Sequence, residues 1–169
     1  MAKIVIKNPA APEFGGTPYG NHLVRPFTLQ FGATGVPVGA MPAVVPAIGD
    51  VLVLGALRSG SCLHSAVLLV SQVLPAGVTA KIGFLYADGV DDTVEKAKFE
   101  GRPFVPQDDA YFFAAGESLS AQKRKTTDTF KAPVTLPRDA SLVLTLAGAV
   151  PNAAGRLDVF IHGEDRGAL

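Results

Sequence analysis

Apolar residues occur in short runs, and three such runs follow one another between residues 49 and 92. The first, residues 51–57, contains no polar side chain, and the second covers residues 66–70. The third, residues 78–86, alternates apolar and polar positions. Runs this short, rich in Val, Ile and Leu and separated by Gly, Pro and Asp, are typical of strands in an antiparallel sandwich or barrel.

Two further alternating segments lie near the end of the chain, at residues 142–146 and 156–162. A loop containing Pro151 separates them, so the pattern predicts a closing hairpin. The predicted core consists of large apolar side chains from all of these strands. They are Val51, Val53, Val67, Leu69, Ile82, Phe84, Leu142, Leu144, Val159 and Ile161.

The first 48 residues contain seven of the 13 prolines and only four charged residues. Because proline fixes φ and removes a hydrogen-bond donor, we expect residues 1–48 to form an extended arm. Alternation around Pro26 predicts one strand in this arm, at a sheet edge. The arm's aromatic residues are too numerous to leave in water, and they are the expected contacts with a neighbouring subunit: Phe14, Tyr19, Phe27 and Phe31. The alternative is that the arm covers its own sandwich.

Residues 91–131 hold half of the charged residues in about a quarter of the chain. Asp92 or Thr93 can cap a short helix that continues to Lys98, and Arg102-Pro103 would end it. We interpret the whole segment as a polar surface flap inserted in a sandwich domain of residues 49–169.

Composition limits the possible partners. Lys plus Arg and Asp plus Glu are both 15, so the net charge is zero, and we expect no nucleic-acid partner. Cys62 is the single cysteine, which excludes an intramolecular disulfide. The N-terminus lacks the apolar region of a secretory signal, and the uncharged residues 59–80 are interrupted by polar residues and proline, so we expect no membrane association.

The histidines show no spacing typical of catalytic or metal sites. His22, His64 and His162 lie far apart, and no pair has the i, i+2 or i, i+4 spacing with which two imidazoles bind one metal. Cys62 and His64 would project from the same side of a strand without facing each other.

The charged clusters also favour a structural interpretation. Residues 88–92 contain three aspartates but lack the twelfth-position ligand of an EF-hand loop. Asp108-Asp109 is interpreted as a solvated turn, and residues 123–125 as a solvated basic loop. The sequence therefore predicts no enzyme, cofactor or metal site.

Several strand and turn patterns resemble those of the cement, or decoration, proteins that coat tailed-bacteriophage heads. They are GDVLVLGAL, AVLLVSQVLPAGVTAKIGFLYADGVDD and SLVLTLAGAVPNAAGRLDVFIHGE, within about residues 49–92 and 140–163. The resemblance implies a jelly-roll β-sandwich that binds the outside of the major capsid protein lattice, and it brings no active site with it. The expected fold is thus an all-β, antiparallel, jelly-roll-like sandwich with an N-terminal arm and a polar flap.

The expected function is that of a virion structural protein that binds and stabilises the major capsid protein lattice. Its expected location is the capsid exterior after assembly in the host cytoplasm, and its expected oligomeric state is a dimer or trimer. The alternative is another virion part, such as a tail- or fibre-associated glycan-binding sandwich. Glycan-binding modules usually display exposed Trp and Tyr, and this chain has no Trp and three Tyr.

Overall fold

The computed structural model describes residues 3–6, 22–127 and 131–165, which form two β-sheets and one short helix. The elements up to the helix are β1 (Lys3–Ile6), β2 (His22–Phe31), β3 (Ala40–Met41), β4 (Val51–Leu57), β5 (Ser61–Gln72), β6 (Thr79–Tyr86) and α1 (Val94–Phe99). The remaining strands are β7 (Asp108–Ser118), β8 (Lys123–Thr126), β9 (Val134–Thr135), β10 (Ala140–Ala147) and β11 (Gly155–Asp165). No helix in these ranges is long and apolar enough to span a membrane.

The six-stranded sheet has the order β3-β1-β4-β10-β6-β7, and the second sheet has the order β2-β11-β5-β8 with β9 also paired to β5. Strand pairs in both sheets are antiparallel, except that β1 runs parallel to β4. The two sheets enclose the main hydrophobic core between them. The predicted all-β sandwich is confirmed.

Six of the ten predicted core residues lie in this main core, namely Ile82, Phe84, Leu142, Leu144, Val159 and Ile161. The prediction is wrong for β4 and β5, where the opposite positions face inward. Leu52 and Leu54 occupy the core, whereas Val51 and Val53 form a separate small cluster. On β5, Leu68 and Val70 are in the core, and Val67 and Leu69 are only half-buried. Both runs are apolar at odd and even positions alike, so alternation could not indicate the inner face.

The predicted closing hairpin is also wrong. β10 pairs with β4 and β6, whereas β11 pairs with β2 and β5 in the other sheet. Residues 148–154 therefore cross from one sheet to the other. A period-two pattern indicates which face of a strand is apolar, but it does not specify the neighbouring strand.

The predicted flap at residues 91–131 is too long. β7 belongs to the six-stranded sheet and places Phe112 and Phe113 fully in the core. It begins close over Gly83, where an added Cβ would lie 2.0 Å from the Asp108 carbonyl oxygen. The excursion from the sheets is limited to residues 87–107, here called the projecting loop, which contains α1. The predicted cap is confirmed, because the Lys96 amide donates to the Thr93 hydroxyl at 3.2 Å.

Residues 123–125 are not a solvated loop, because they lie in β8 at an edge of the second sheet. Lys123 and Lys125 both donate to the buried carboxylate of Glu117 on β7. This carboxylate links the edge strands of the two sheets. These charged residues, which suggested a flap, instead connect the two sheets along one side of the sandwich.

Candidate interaction surfaces

Large apolar side chains that remain exposed are concentrated in two regions of the part that the structure describes. The first, here called the edge surface, comprises Val5, Val38, Met41, Val44, Val45 and Ile48. The second is the projecting loop, where Val90, Val94, Phe99 and Phe104 are exposed. Contiguous exposed apolar patches often mark interaction sites, so we consider each region in turn.

The edge surface is built on the outer strand of the six-stranded sheet. β3 pairs with β1 so that Met41 lies opposite Val5, and both side chains are exposed. The segment that follows is fixed where it enters β4. The Ala47 amide donates to the Asp50 carboxylate at 2.9 Å, and the Gly49 amide donates to the Leu146 carbonyl at 2.9 Å. Its exposed valines are therefore presented on a segment that is hydrogen-bonded to the sheet.

Most of the edge surface lies in an uncharged stretch of sequence, and the exception is Val5, which stands between Lys3 and Lys7. From Pro26 to Gly49 the chain contains no Asp, Glu, Lys, Arg or His. The cores of protein interfaces are depleted in charged residues and enriched in Met and aromatic residues. An uncharged surface of this kind favours a partner surface that is also apolar, because a charge buried against it would lose its hydration without compensation.

The projecting loop is held in place by a buried ion pair. Asp92, whose side chain is fully buried, accepts two hydrogen bonds from the Arg102 guanidinium at 2.7 and 2.8 Å. It also accepts one from the Val105 amide at 3.0 Å. The hydrogen bonds from Arg102 hold the pKa of Asp92 well below its usual range, and they raise the pKa of Arg102. The pair therefore stays ionised and joins the two sides of the loop.

Further contacts fix the base of the loop to β6. The Tyr86 hydroxyl donates to the Val105 carbonyl at 2.6 Å, and the Arg138 guanidinium lies 4.2 Å from the centre of the Tyr86 ring. Burial raises the pKa of Tyr86 to about 12, so the phenol remains a proton donor. The backbone amide of Gln107 donates to the Asp91 carboxylate at 2.7 Å. Phe99, at the end of α1, is nevertheless 93% exposed.

A pocket of about 250 Å³ lies beside the base of this loop. Val51, Leu85 and Val143 from the outer face of the six-stranded sheet form its apolar wall. Gly89 and Gln107 contribute from the loop, and Lys3 of β1 lines another side. The size and lining suit a single apolar side chain better than a drug-sized ligand, which needs roughly 300–1,000 Å³.

The contact residues predicted from the sequence lie in different places. Phe27 and Phe31 are buried in this chain's own core, with exposures of 8% and 1%. Phe27 packs over Gly55, where an added Cβ would lie 2.6 Å from the Phe27 ring. Phe14 and Tyr19 lie outside the described residues. The strand around Pro26 is β2, at the edge of the second sheet.

The residues considered for catalysis or metal binding are engaged in other contacts. Asp88 binds Arg138, Asp91 accepts from Gln107, and Asp92 pairs with Arg102. Asp108 and Asp109 bind Lys131 and Lys81 respectively, rather than forming a solvated turn. Each carboxylate thus has a protein donor.

The fold brings together residues that the sequence separates. The rings of His22 and His162 lie 6.2 Å apart, and His64 Nε2 is 3.9 Å from a Glu164 carboxylate oxygen. Among the described residues, no group of three His, Cys, Asp or Glu side chains is arranged to hold a metal ion. Cys62 is buried.

The sequence interpretation missed Phe99 as an exposed aromatic residue. The sequence contained an indication of this exposure, because an aromatic residue stands in the polar stretch EKAKFE of a predicted short helix, which can bury only one side. Ala97 is the buried residue of that helix.

No protein-family model and no curated protein matches this chain. Solved structures do match over nearly its whole length. A chain of the capsid of Ralstonia phage GP4 is 18% identical with a TM-score of 0.59, and the match covers 99% of this chain and 100% of that chain. A chain of the Cyanophage Pam1 capsid asymmetric unit is 14% identical with a TM-score of 0.53, covering 94% and 93%. The likeness is one of fold.

Proposed function

We propose that this protein is a structural protein of a bacteriophage virion, and more specifically a decoration protein that binds and stabilises the major capsid protein lattice from outside. The observation that carries the proposal is the end-to-end match of fold with a chain of the GP4 phage capsid. The match covers 99% of this chain and 100% of that chain, so it is not a common sandwich embedded in a larger, different chain. The strand and turn patterns that resemble phage decoration proteins are a second, independent support.

The edge surface supplies the contact with the lattice in this proposal. It combines exposed apolar side chains with a charge-free stretch of 24 residues, positions 26–49, and its backbone is fixed to the sheet. A preorganised apolar surface loses little entropy on binding, which favours tight association with a repeating protein lattice. Self-association into a dimer or trimer would let one particle contact several lattice subunits at once.

The arm proposed from the sequence, with Phe14 and Tyr19, would add to this contact. Fixing a proline-rich segment costs less entropy than fixing a flexible one, so it could act as a clamp on a neighbouring subunit. Phe27 and Phe31 would then hold the root of the arm in the sandwich, because both are buried there. Deleting residues 8–20 tests the clamp: weaker capsid binding with an unchanged melting temperature supports it, and undiminished affinity contradicts it.

The test of the function uses heads from a phage lacking this gene, mixed with the purified protein and sedimented through a glycerol gradient. We expect saturable binding at a fixed number of copies per head. Val45→Asp, at a site 40% exposed on the edge surface, should weaken binding at least about tenfold, because a buried unpaired charge is costly. Val73→Asp, at a site 41% exposed elsewhere, is the matched control and should bind normally. Protein that stays at the top of the gradient would contradict the proposal.

A further inference from the structure

The pocket at the base of the projecting loop is large enough to hold the exposed aromatic ring that the same loop carries. Phe99 is 93% exposed, more than any other large apolar residue that the structure describes. The pocket of about 250 Å³ has an apolar wall formed by Val51, Leu85 and Val143. An apolar cavity of about 150 Å³ is enough to hold a benzene ring, so a phenyl ring fits this pocket.

The projecting loop and the pocket also carry opposite charges. Glu95 lies four residues before Phe99, so the two side chains share one side of α1. Lys3 lines the pocket. A phenyl ring that enters the pocket from another molecule would therefore bring a carboxylate towards an ammonium group. An exposed ion pair adds little affinity, but it favours one orientation of the partners.

Phe99 does not fill the pocket of its own chain, because it is almost fully exposed. The pocket is lined by Gly89 and Gln107, near the two ends of the same loop that carries Phe99. Phe99 and part of the pocket lining thus belong to one loop, and an exchange of this ring between two copies around a two-fold axis would make each contact twice. The net charge of zero gives no long-range repulsion between copies.

We infer that the partner of this surface is a second copy of the chain, and that Phe99 of each copy enters the pocket formed by Val51, Leu85 and Val143 of the other. The result is an isologous dimer. It specifies the self-association included in the proposed function, but it concerns the isolated protein and uses residues other than those of the edge surface. A failure of capsid binding would therefore not affect it, and the reverse also holds.

The first test is sedimentation equilibrium of the purified protein at micromolar concentrations. The wild type should form dimers. Phe99→Ala should raise the dimer dissociation constant on the order of 100-fold, because a buried aromatic anchor is lost twice per dimer. Ile48→Ala, at an exposed site on the edge surface, should leave the constant unchanged. A monomeric wild type, or a Phe99→Ala variant with the same dissociation constant, would overturn the inference.

Charge reversal tests the orientation and does not depend on removing the ring. Glu95→Lys and Lys3→Glu should each weaken the dimer about threefold to tenfold, since each creates like charges at both contacts. The variant that carries both changes should return towards the wild-type constant. Additive weakening in the double variant would overturn the inference. Ser141→Phe places a ring inside the same pocket and should abolish dimers, and dimers of normal affinity would contradict the assigned pocket.

Discussion

The edge surface and the projecting loop both expose apolar side chains, but they are built in opposite ways. Apart from Val5, the edge surface lies in an uncharged, proline-containing segment that is hydrogen-bonded to the sheet through backbone groups and Asp50. The projecting loop is rich in charge and depends on one buried ion pair, Asp92–Arg102. The projecting loop should therefore depend on its ion pair, whereas the edge surface should depend on backbone hydrogen bonds and on the Asp50 carboxylate.

The largest expected effect comes from removing that ion pair. Arg102→Ala leaves the Asp92 carboxylate buried without its partner, which typically costs about 3–5 kcal/mol. We expect the loop to open locally, so the Val105 amide, which donates to Asp92, should exchange its hydrogen faster. Lys98→Ala, at an exposed site on the same loop, is the control. Dimerisation should be lost in Arg102→Ala while binding to heads is retained. Loss of both activities would contradict the separation of the two surfaces.

The ion pair of the projecting loop should resist mild acid. The pKa of Asp92 is lowered from 3.8 in the folded state, mainly by hydrogen bonds from Arg102. A depressed carboxyl pKa contributes stability that is present above the unfolded value and is lost as the pH falls through the folded value. Protection of the Val105 amide should thus persist near pH 4 and decrease only at lower pH. A decrease between pH 7 and 5 would contradict this assignment.

Glu117 is a second carboxylate whose pKa is lowered, in this case by two lysines. Burial acts to raise its pKa, but the ammonium groups of Lys123 and Lys125 outweigh burial, so the pKa is lowered from 4.5. Glu117→Gln should destabilise the protein by about 1–3 kcal/mol at pH 7, because the lysines lose a charged acceptor. The difference from the wild type should shrink as the pH falls below 4.5, as seen in chemical denaturation. A difference that is constant with pH would rule out the ionised link between β7 and β8.

The smallest expected effect on stability is that of Phe99→Ala. Its side chain has few contacts within the chain, so the free energy of unfolding of the monomer should change by less than about 0.5 kcal/mol. Thermal melts at concentrations well below the dimer dissociation constant would measure this. A change larger than about 1 kcal/mol would mean that the ring packs within its own chain.

The sequence predicted the elements of this fold better than their arrangement. Alternating runs such as residues 78–86 gave the correct inner face, because one side of the strand is polar. The run containing Val67 and Leu68 is apolar on both sides, and only packing against β11 and β8 decides which side is buried. Charge density suggested a flap at 91–131. In the structure, β7 and β8 carry part of this charge within the sheets, where ion pairs such as Glu117 with Lys123 neutralise it.

The interaction surfaces were less predictable for a related reason. Aromatic content shows that rings such as Phe27 need to be covered, but it does not show which surface covers them, and here the chain's own core does. Phe99 stands in a helix of six residues whose inward position is taken by Ala97. Which residue of so short a helix is buried depends on how the helix packs in the folded molecule.

The most direct test of the proposed decoration role is a cryo-EM comparison of heads from a phage lacking this gene, imaged with and without the purified protein. The account predicts additional density on the outer surface that fits the two-sheet sandwich, with the edge surface against the lattice. Empty difference density at saturating protein, or density located only inside the shell, would contradict it.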